Sequence, residues 1–141
     1  MEKTLEELER RRNELYRELG AMGEFRRGTL SVNFRKCGKA YCACAKRGHR
    51  GHGPQYLWNA TIGGKSRAEN IRLGPELEKV ESELANYQRL IRWWEQWVEV
   101  NESICRQRPV REVGDERELE ALKKTLSRRY ARKSKRKSSV P

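Results

Sequence analysis

Three cysteines and both histidines of the chain fall within the run CGKAYCACAKRGHRGHGP, residues 37 to 54. A tetrahedral zinc site needs four soft or borderline donors on a loop short enough to turn back on itself. Cys37, Cys42 and Cys44 supply three thiolates in a CxxxxCxC pattern, and either His49 or His52 supplies the fourth donor. The CxC step differs from the CxxC knuckle of common zinc fingers, so the reading rests on the concentration of ligand-type side chains rather than on their spacing. Lys36, Lys39, Lys46 and Arg47 favour thiolates and offset the excess negative charge of three thiolates around one Zn²⁺. The expected cofactor is therefore a structural Zn²⁺. The competing readings are reduced cysteines packed in a loop, and a redox or iron–sulfur role.

Catalysis is not expected from this loop. An open zinc position requires a general base nearby, and residues 25–72 hold a single carboxylate, Glu69. No phosphate-binding loop, dinucleotide fingerprint or paired-carboxylate constellation occurs, so the chain reads as non-enzymatic. The fourth cysteine, Cys105, lies on a helical apolar line and reads as a packed thiol.

The elements that must carry the loop follow from periodicity. KTLEELERRRNELYRELGAMG opens with the capping box Thr4/Glu7 and continues with Leu5, Leu8, Leu15, Leu19 and Met22, interrupted by Arg12. It predicts an amphipathic helix that ends at Gly20 or Gly23. Leu30, Val32 and Phe34 alternate in GTLSVNF, and Tyr56, Trp58, Ala60 and Ile62 alternate in QYLWNATI. Gly63–Gly64 then supplies a hairpin turn into KSRAENIRL, which predicts a two- or three-stranded antiparallel sheet with the Cys/His loop inserted in it. From Pro75 a long helix is marked by a first-turn proline and early acidic residues. Along it Leu77, Val80, Leu84, Tyr87, Ile91, Trp94, Val98, Asn101 and Cys105 recur in alternating steps of three and four, a coiled-coil seam about 45 Å long. Leu90, Trp93 and Trp97 widen this seam toward a second neighbour, either the first helix folded back antiparallel or a second copy of the chain.

The fold class is α+β: a small antiparallel β hairpin or sheet with a zinc-ribbon-like Cys/His loop, flanked by an N-terminal helix and a long heptad-patterned helix. The expected divisions are residues 1–23, an N-terminal amphipathic helix; 24–73, a basic β/zinc-loop module; 74–108, the coiled-coil-like helix; and 109–141, a linker, a short helix and a disordered basic tail.

Charge separates these parts. The chain carries a net charge of +12, and 37% of its residues are charged. Residues 25–72 hold net +10 and residues 121–141 net +9, whereas residues 1–24 and 73–120 are net −2 and −5. A hydrophobic share of 35% is too small for a large core, which makes a metal staple and solvated helices the expected sources of order. No apolar run approaches the roughly 20 residues that cross a bilayer, and the N-terminus lacks the apolar stretch of a secretory signal. A cytoplasmic location with no membrane partner is expected, and there thiols stay reduced and suit a metal.

The middle of the chain also resembles a known group. RRGTLSVNFRKCGKAYCACA, then HGPQYLW, then GGKSR, followed by a long helix, is similar to a family of small uncharacterised bacterial and archaeal proteins, a domain of unknown function. The resemblance covers residues 24 to 105 and leaves out the basic tail. It implies His52 as the fourth ligand, with His49 as the substitute, and a link to mobile elements without any named activity. Ala40 and Tyr41 depart from the family's usual glycine or proline after CGK, which bears on the loop's geometry rather than its ligands.

Confined positive charge points to a polyanion, since cationic side chains displace counterions from a phosphate backbone. The chain is expected to bind nucleic acid, DNA ahead of RNA, through Arg26, Arg27, Arg35, Lys36, Lys39, Lys46, Arg47, Arg50, Lys65 and Arg67. Tyr56 and Trp58 are expected to pack rather than stack on bases. The alternative is a protein–protein adaptor, or a self-associating coiled-coil protein, that uses Trp93, Trp94 and Trp97 on the long helix; its partner is a homodimer mate or another protein.

Overall fold

Thr4 caps the first helix as its sequence dictates: its hydroxyl accepts from the Glu7 amide, and the Glu7 carboxylate accepts from the Thr4 amide at 2.8 Å. Helix α1 spans Leu5–Gly20, strand β1 Thr29–Arg35, a 3-10 turn Ala43–Ala45, strand β2 His52–Ile62, strand β3 Lys65–Ile71, helix α2 Pro75–Gln107 and helix α3 Glu116–Ser138. This computed structural model describes residues 1–138. The chain divides into two units, Met1–Arg106 and a second that begins at Gln107.

Within the first unit α1 lies antiparallel along α2. The buried Trp93 indole N–H donates to the Leu15 carbonyl at 2.6 Å, and the Arg11 guanidinium donates to the Gln96 side chain at 2.8 Å. Leu15 is fully buried, and Leu8, Trp93 and Ile104 are buried with it. The contacts of α2 with α1 therefore fall at Trp93, Gln96 and Trp97, beside the heptad seam drawn from the sequence. Of that seam Val80 is buried, Leu77, Leu84, Tyr87 and Val98 are half-buried, Ile91 and Cys105 are exposed, and Trp94 is 55% exposed. Spacing fixes an apolar stripe but not which edge of a broad stripe a neighbour selects. Here an indole N–H that needs an acceptor when buried selects it. Cys105 is accordingly an exposed thiol and not a packed one.

The three strands pair antiparallel in the order β1-β2-β3. By register Leu30, Tyr56, Trp58, Ala60, Ile62 and Ile71 share one face, on which Ala60 and Ile71 are buried. The opposite face carries Thr29, Ser31, Asn33, Gln55, Leu57, Asn59, Thr61, Ser66, Ala68 and Asn70. Residues 24–27 tie the sheet to α2. Glu83 of α2 is buried; it accepts from Arg26 at 2.8 Å and also from Lys79, and these two cations hold its carboxyl below the ordinary 4.5. The Asn86 amide donates to the Glu24 carbonyl at 2.8 Å, and the Trp58 indole donates to the Arg27 carbonyl at 2.7 Å. Gly28 must be glycine: its φ is 107°, and a Cβ there would stand 2.2 Å from the Asn59 carbonyl oxygen.

In the second unit Asp115 caps α3 by accepting from the Glu118 amide at 2.8 Å, while Glu118 accepts from Arg111 at 3.1 Å. Where a short helix and a disordered basic tail are expected from the sequence, α3 continues through Ser138. Residues 116–138 contain no glycine or proline and are rich in Ala, Leu, Lys and Arg, all strong helix formers. The remainder of the expected tail, residues 139–141, lies outside the described residues.

Candidate metal centre

The sheet assembles the Cys/His loop by pairing the strands at its two ends. Arg35, at the end of β1, is the register partner of His52, at the start of β2, after an irregularity between Asn33 and Arg35. The loop thus leaves and rejoins the sheet at one point, with Cys37 two residues beyond β1 and His52 opening β2. Gly51 makes this junction possible: its φ is 100°, and a Cβ would lie 2.6 Å from the Arg35 carbonyl carbon. Between the ends the backbone folds by consecutive tight turns, with the Cys42 amide on the Lys39 carbonyl at 3.1 Å and the His49 amide on the Lys46 carbonyl at 3.1 Å. The 3-10 turn sets Cys44 inward, with Cys42 at the position that precedes it.

Four ligand atoms converge as a result. The sulfurs of Cys37, Cys42 and Cys44 and a ring nitrogen of His52 all lie within 4.8 Å of one another. Cys37 Sγ and Cys44 Sγ are 3.5 Å apart, and Cys42 Sγ is 3.3 Å from His52 Nε2. Two thiolates on one tetrahedral ion with bonds of about 2.3 Å sit about 3.8 Å apart, so these separations are those of tetrahedral edges. Cys44 is 1% exposed while Cys37 and His52 are exposed, so the cluster lies at the surface, where the loop meets the end of the sheet.

The electrostatics favour one thiolate in advance of any ion. The Cys37 thiol is lowered to about 6, first by the Lys39 backbone amide and then by His52 and Cys44. At Cys44 the Cys37 amide, which donates to its sulfur at 3.5 Å, favours the thiolate, but desolvation and the neighbouring sulfurs outweigh it and raise the group. A cation at the centre reverses that penalty, because a coordinating thiol gives up its proton to the metal. The Cys₃His set thus fits a soft or borderline metal ion.

His49 stands outside the cluster. Its Nδ1 accepts from the Gly51 amide at 2.9 Å, which stabilises the turn that brings His52 back. Spacing alone leaves the two histidines open; the β1–β2 register brings His52 to the sulfurs.

The basic residues named from the sequence divide into two groups. Arg26 is half-buried, ion-paired with Glu83, and its guanidinium carbon stands 4.7 Å from the Trp58 ring centre, so it holds the fold together. Arg27, Arg35, Lys36, Lys39, Lys46, Arg47, Arg50, Lys65 and Arg67 are exposed, and none is ion-paired with a described residue. Arg50 covers the Phe34 ring at 4.8 Å and Lys39 approaches the Tyr41 ring at 6.0 Å, which keeps both heads beside the loop. Tyr56 and Trp58 are half-buried. The sequence reading misses two features of the centre, the Lys39 amide that stabilises the Cys37 thiolate and the backbone approach at Gly51. The glycines at 38 and 51 are their signal, since both take positive φ.

Among the described residues no helix is long and apolar enough to cross a membrane. No curated protein and no solved structure matches the chain. The profile of one family matches residues 5–82, more than half the chain, from the first residue of α1 to the early turns of α2. It thus takes in the metal-type cluster and the whole sheet and stops one residue short of Glu83, and on that match the chain belongs to the family described as a domain of unknown function, DUF6788.

Proposed function

We propose that this chain is a non-enzymatic nucleic-acid-binding protein, with DNA ahead of RNA, whose Cys37, Cys42, Cys44 and His52 hold a structural Zn²⁺. The observation that carries the reading is the convergence of four ligand atoms within 4.8 Å inside a segment of net charge +10. The ion would fix a loop that has almost no apolar interior, and so fix the positions of the cations on it. Those cations would neutralise phosphates, which gives affinity without sequence preference.

Metal analysis of the purified protein together with a salt titration on duplex DNA and on RNA tests the reading. One zinc per chain is expected, with affinity that falls linearly on a logarithmic salt axis at about 0.9 per phosphate neutralised. Protein that carries zinc but binds neither polymer at low salt defeats the nucleic-acid assignment. It would move the function to the second reading, a protein-binding or self-associating helix, which the 55% exposure of Trp94 beside exposed Ile91 favours. Light scattering measures that directly.

A further inference from the structure

The outer face of the sheet carries no charged residue between Thr29 and Asn33, between Gln55 and Thr61, or between Ser66 and Asn70, in a chain that is 37% charged. A merely solvated sheet face in such a chain would be expected to carry Lys and Glu. Instead it carries three exposed carboxamides at one end. Asn33 is directly opposite Gln55, and Asn70 is directly opposite Leu57, which places Asn70 diagonal to Gln55. Such neighbours stand about 5 Å apart when opposite and about 7 Å when diagonal. None of the three makes a side-chain hydrogen bond to a described residue. The fourth amide on this face behaves otherwise: Asn59 donates to the Ser31 hydroxyl at 2.8 Å and to the Leu57 carbonyl at 3.3 Å, and is held in place.

The free carboxamides adjoin the cationic loop. β1 runs from Asn33 into Arg35 and Lys36, and β2 opens at His52, three residues before Gln55. Phosphate-type contacts and base-type contacts thus lie side by side, the division that sequence-specific DNA recognition requires. We propose that Asn33, Gln55 and Asn70 read adenines in the major groove of duplex DNA, while the exposed cations of the loop hold the flanking phosphates. A carboxamide matches adenine because one planar group donates to N7 and accepts from the N6 amino group. Three strand axes about 4.8 Å apart set the amides across about 10 Å, so side chains that project from the face, rather than the backbones, would reach base edges across a B-form major groove of about 12 Å. The A-form groove of duplex RNA is too deep and narrow for this approach. The inference rests on the nucleic-acid reading above and assigns it a polymer, a groove and a base.

The test is selection by the full-length chain from a random-sequence DNA duplex pool at moderate salt, repeated with the triple variant Asn33→Ala, Gln55→Ala, Asn70→Ala. The wild type is expected to enrich sites with adenines at fixed positions. The variant should keep its zinc, its thermal melt and its salt slope, yet lose about tenfold discrimination per amide removed. Single substitutions, each expected to relax a different base pair, decide the matter if the triple variant fails to fold. Salt-dependent DNA binding with no enriched sequence, enrichment left unchanged by the variants, or binding confined to RNA overturns the inference and leaves nucleic-acid binding intact. Absence of binding to any nucleic acid at low salt overturns both.

Discussion

The helical hairpin and the Cys/His loop sit in one chain unit but are ordered by different physics. In the hairpin, α1 and α2 bury Leu8, Leu15, Trp93 and Ile104, and Trp93 stacks on Trp97 at 5.5 Å. From Lys36 to Arg50, Cys44 is the one buried residue among the described residues. Apolar burial stabilises the first at about 25 cal/mol per Å², and little such area exists in the second. The loop can hold a single shape through its turns, its close approach to β1 and four ligand atoms converging on one point. Small segments with too little core depend on a staple, and a metal is the staple these side chains can bind.

This contrast can be broken most sharply at the loop. Cys44→Ser should abolish metal binding and unfold residues 36–51, a loss on the order of 5 kcal/mol or more of local stability. The helical circular-dichroism signal should nevertheless survive, and metal content with amide exchange of the loop checks both halves. Equal collapse of helix and loop would mean that the two regions are not independently ordered. Leu15→Ala addresses the other side. It removes a fully buried side chain from the hairpin and should cost about 3 kcal/mol in denaturant melts while any metal content of the loop stays unchanged.

The tie between the two regions gives an intermediate effect. Glu83→Ala strands the half-buried Arg26 charge and should cost about 2 kcal/mol. The Glu83 carboxyl is lowered from 4.5, by Lys79 first and Arg26 second, so its pairing contributes fully above that value and fades as pH falls through its folded value. Melts of wild type and Glu83→Gln compared between pH 6 and about 3 should therefore converge toward the acid end. The smallest effect is expected at His49. His49→Ala deletes one acceptor for the Gly51 amide and should cost about 1 kcal/mol without loss of metal, whereas His52→Ala should lose the metal.

Much of this architecture was legible before any coordinates. The capping box at Thr4, the alternation from Leu30 to Phe34 and from Tyr56 to Ile62, and the first-turn Pro75 are each local rules. Each acts within one element, so sequence can reveal it. The length of α3 escaped because a run of lysines and arginines reads as disorder by charge, although it holds no glycine or proline through Ser138 and Lys and Arg are themselves good helix formers. The stripe of α2 offers two lines, the heptad seam and the Leu90, Trp93 and Trp97 line beside it, and the sequence leaves open whether α1 or a second copy of the chain takes the latter. Burial of the Trp93 indole against the Leu15 carbonyl, 78 residues away in sequence, selects between them.

Sequence by itself determined the donor types at Cys37, Cys42, Cys44 and the two histidines, the confinement of positive charge to residues 25–72 and the tail, and the order of helices and strands. Tertiary structure decided which histidine joins the sulfurs, because that depends on Arg35 pairing with His52 across the sheet. It decided that Arg26 serves the fold while its neighbours stay free of ion pairs, because Glu83 lies 57 residues away on α2. It also decided that Asn33, Gln55 and Asn70 form one cluster, since strand register alone makes neighbours of residues so far apart in the chain.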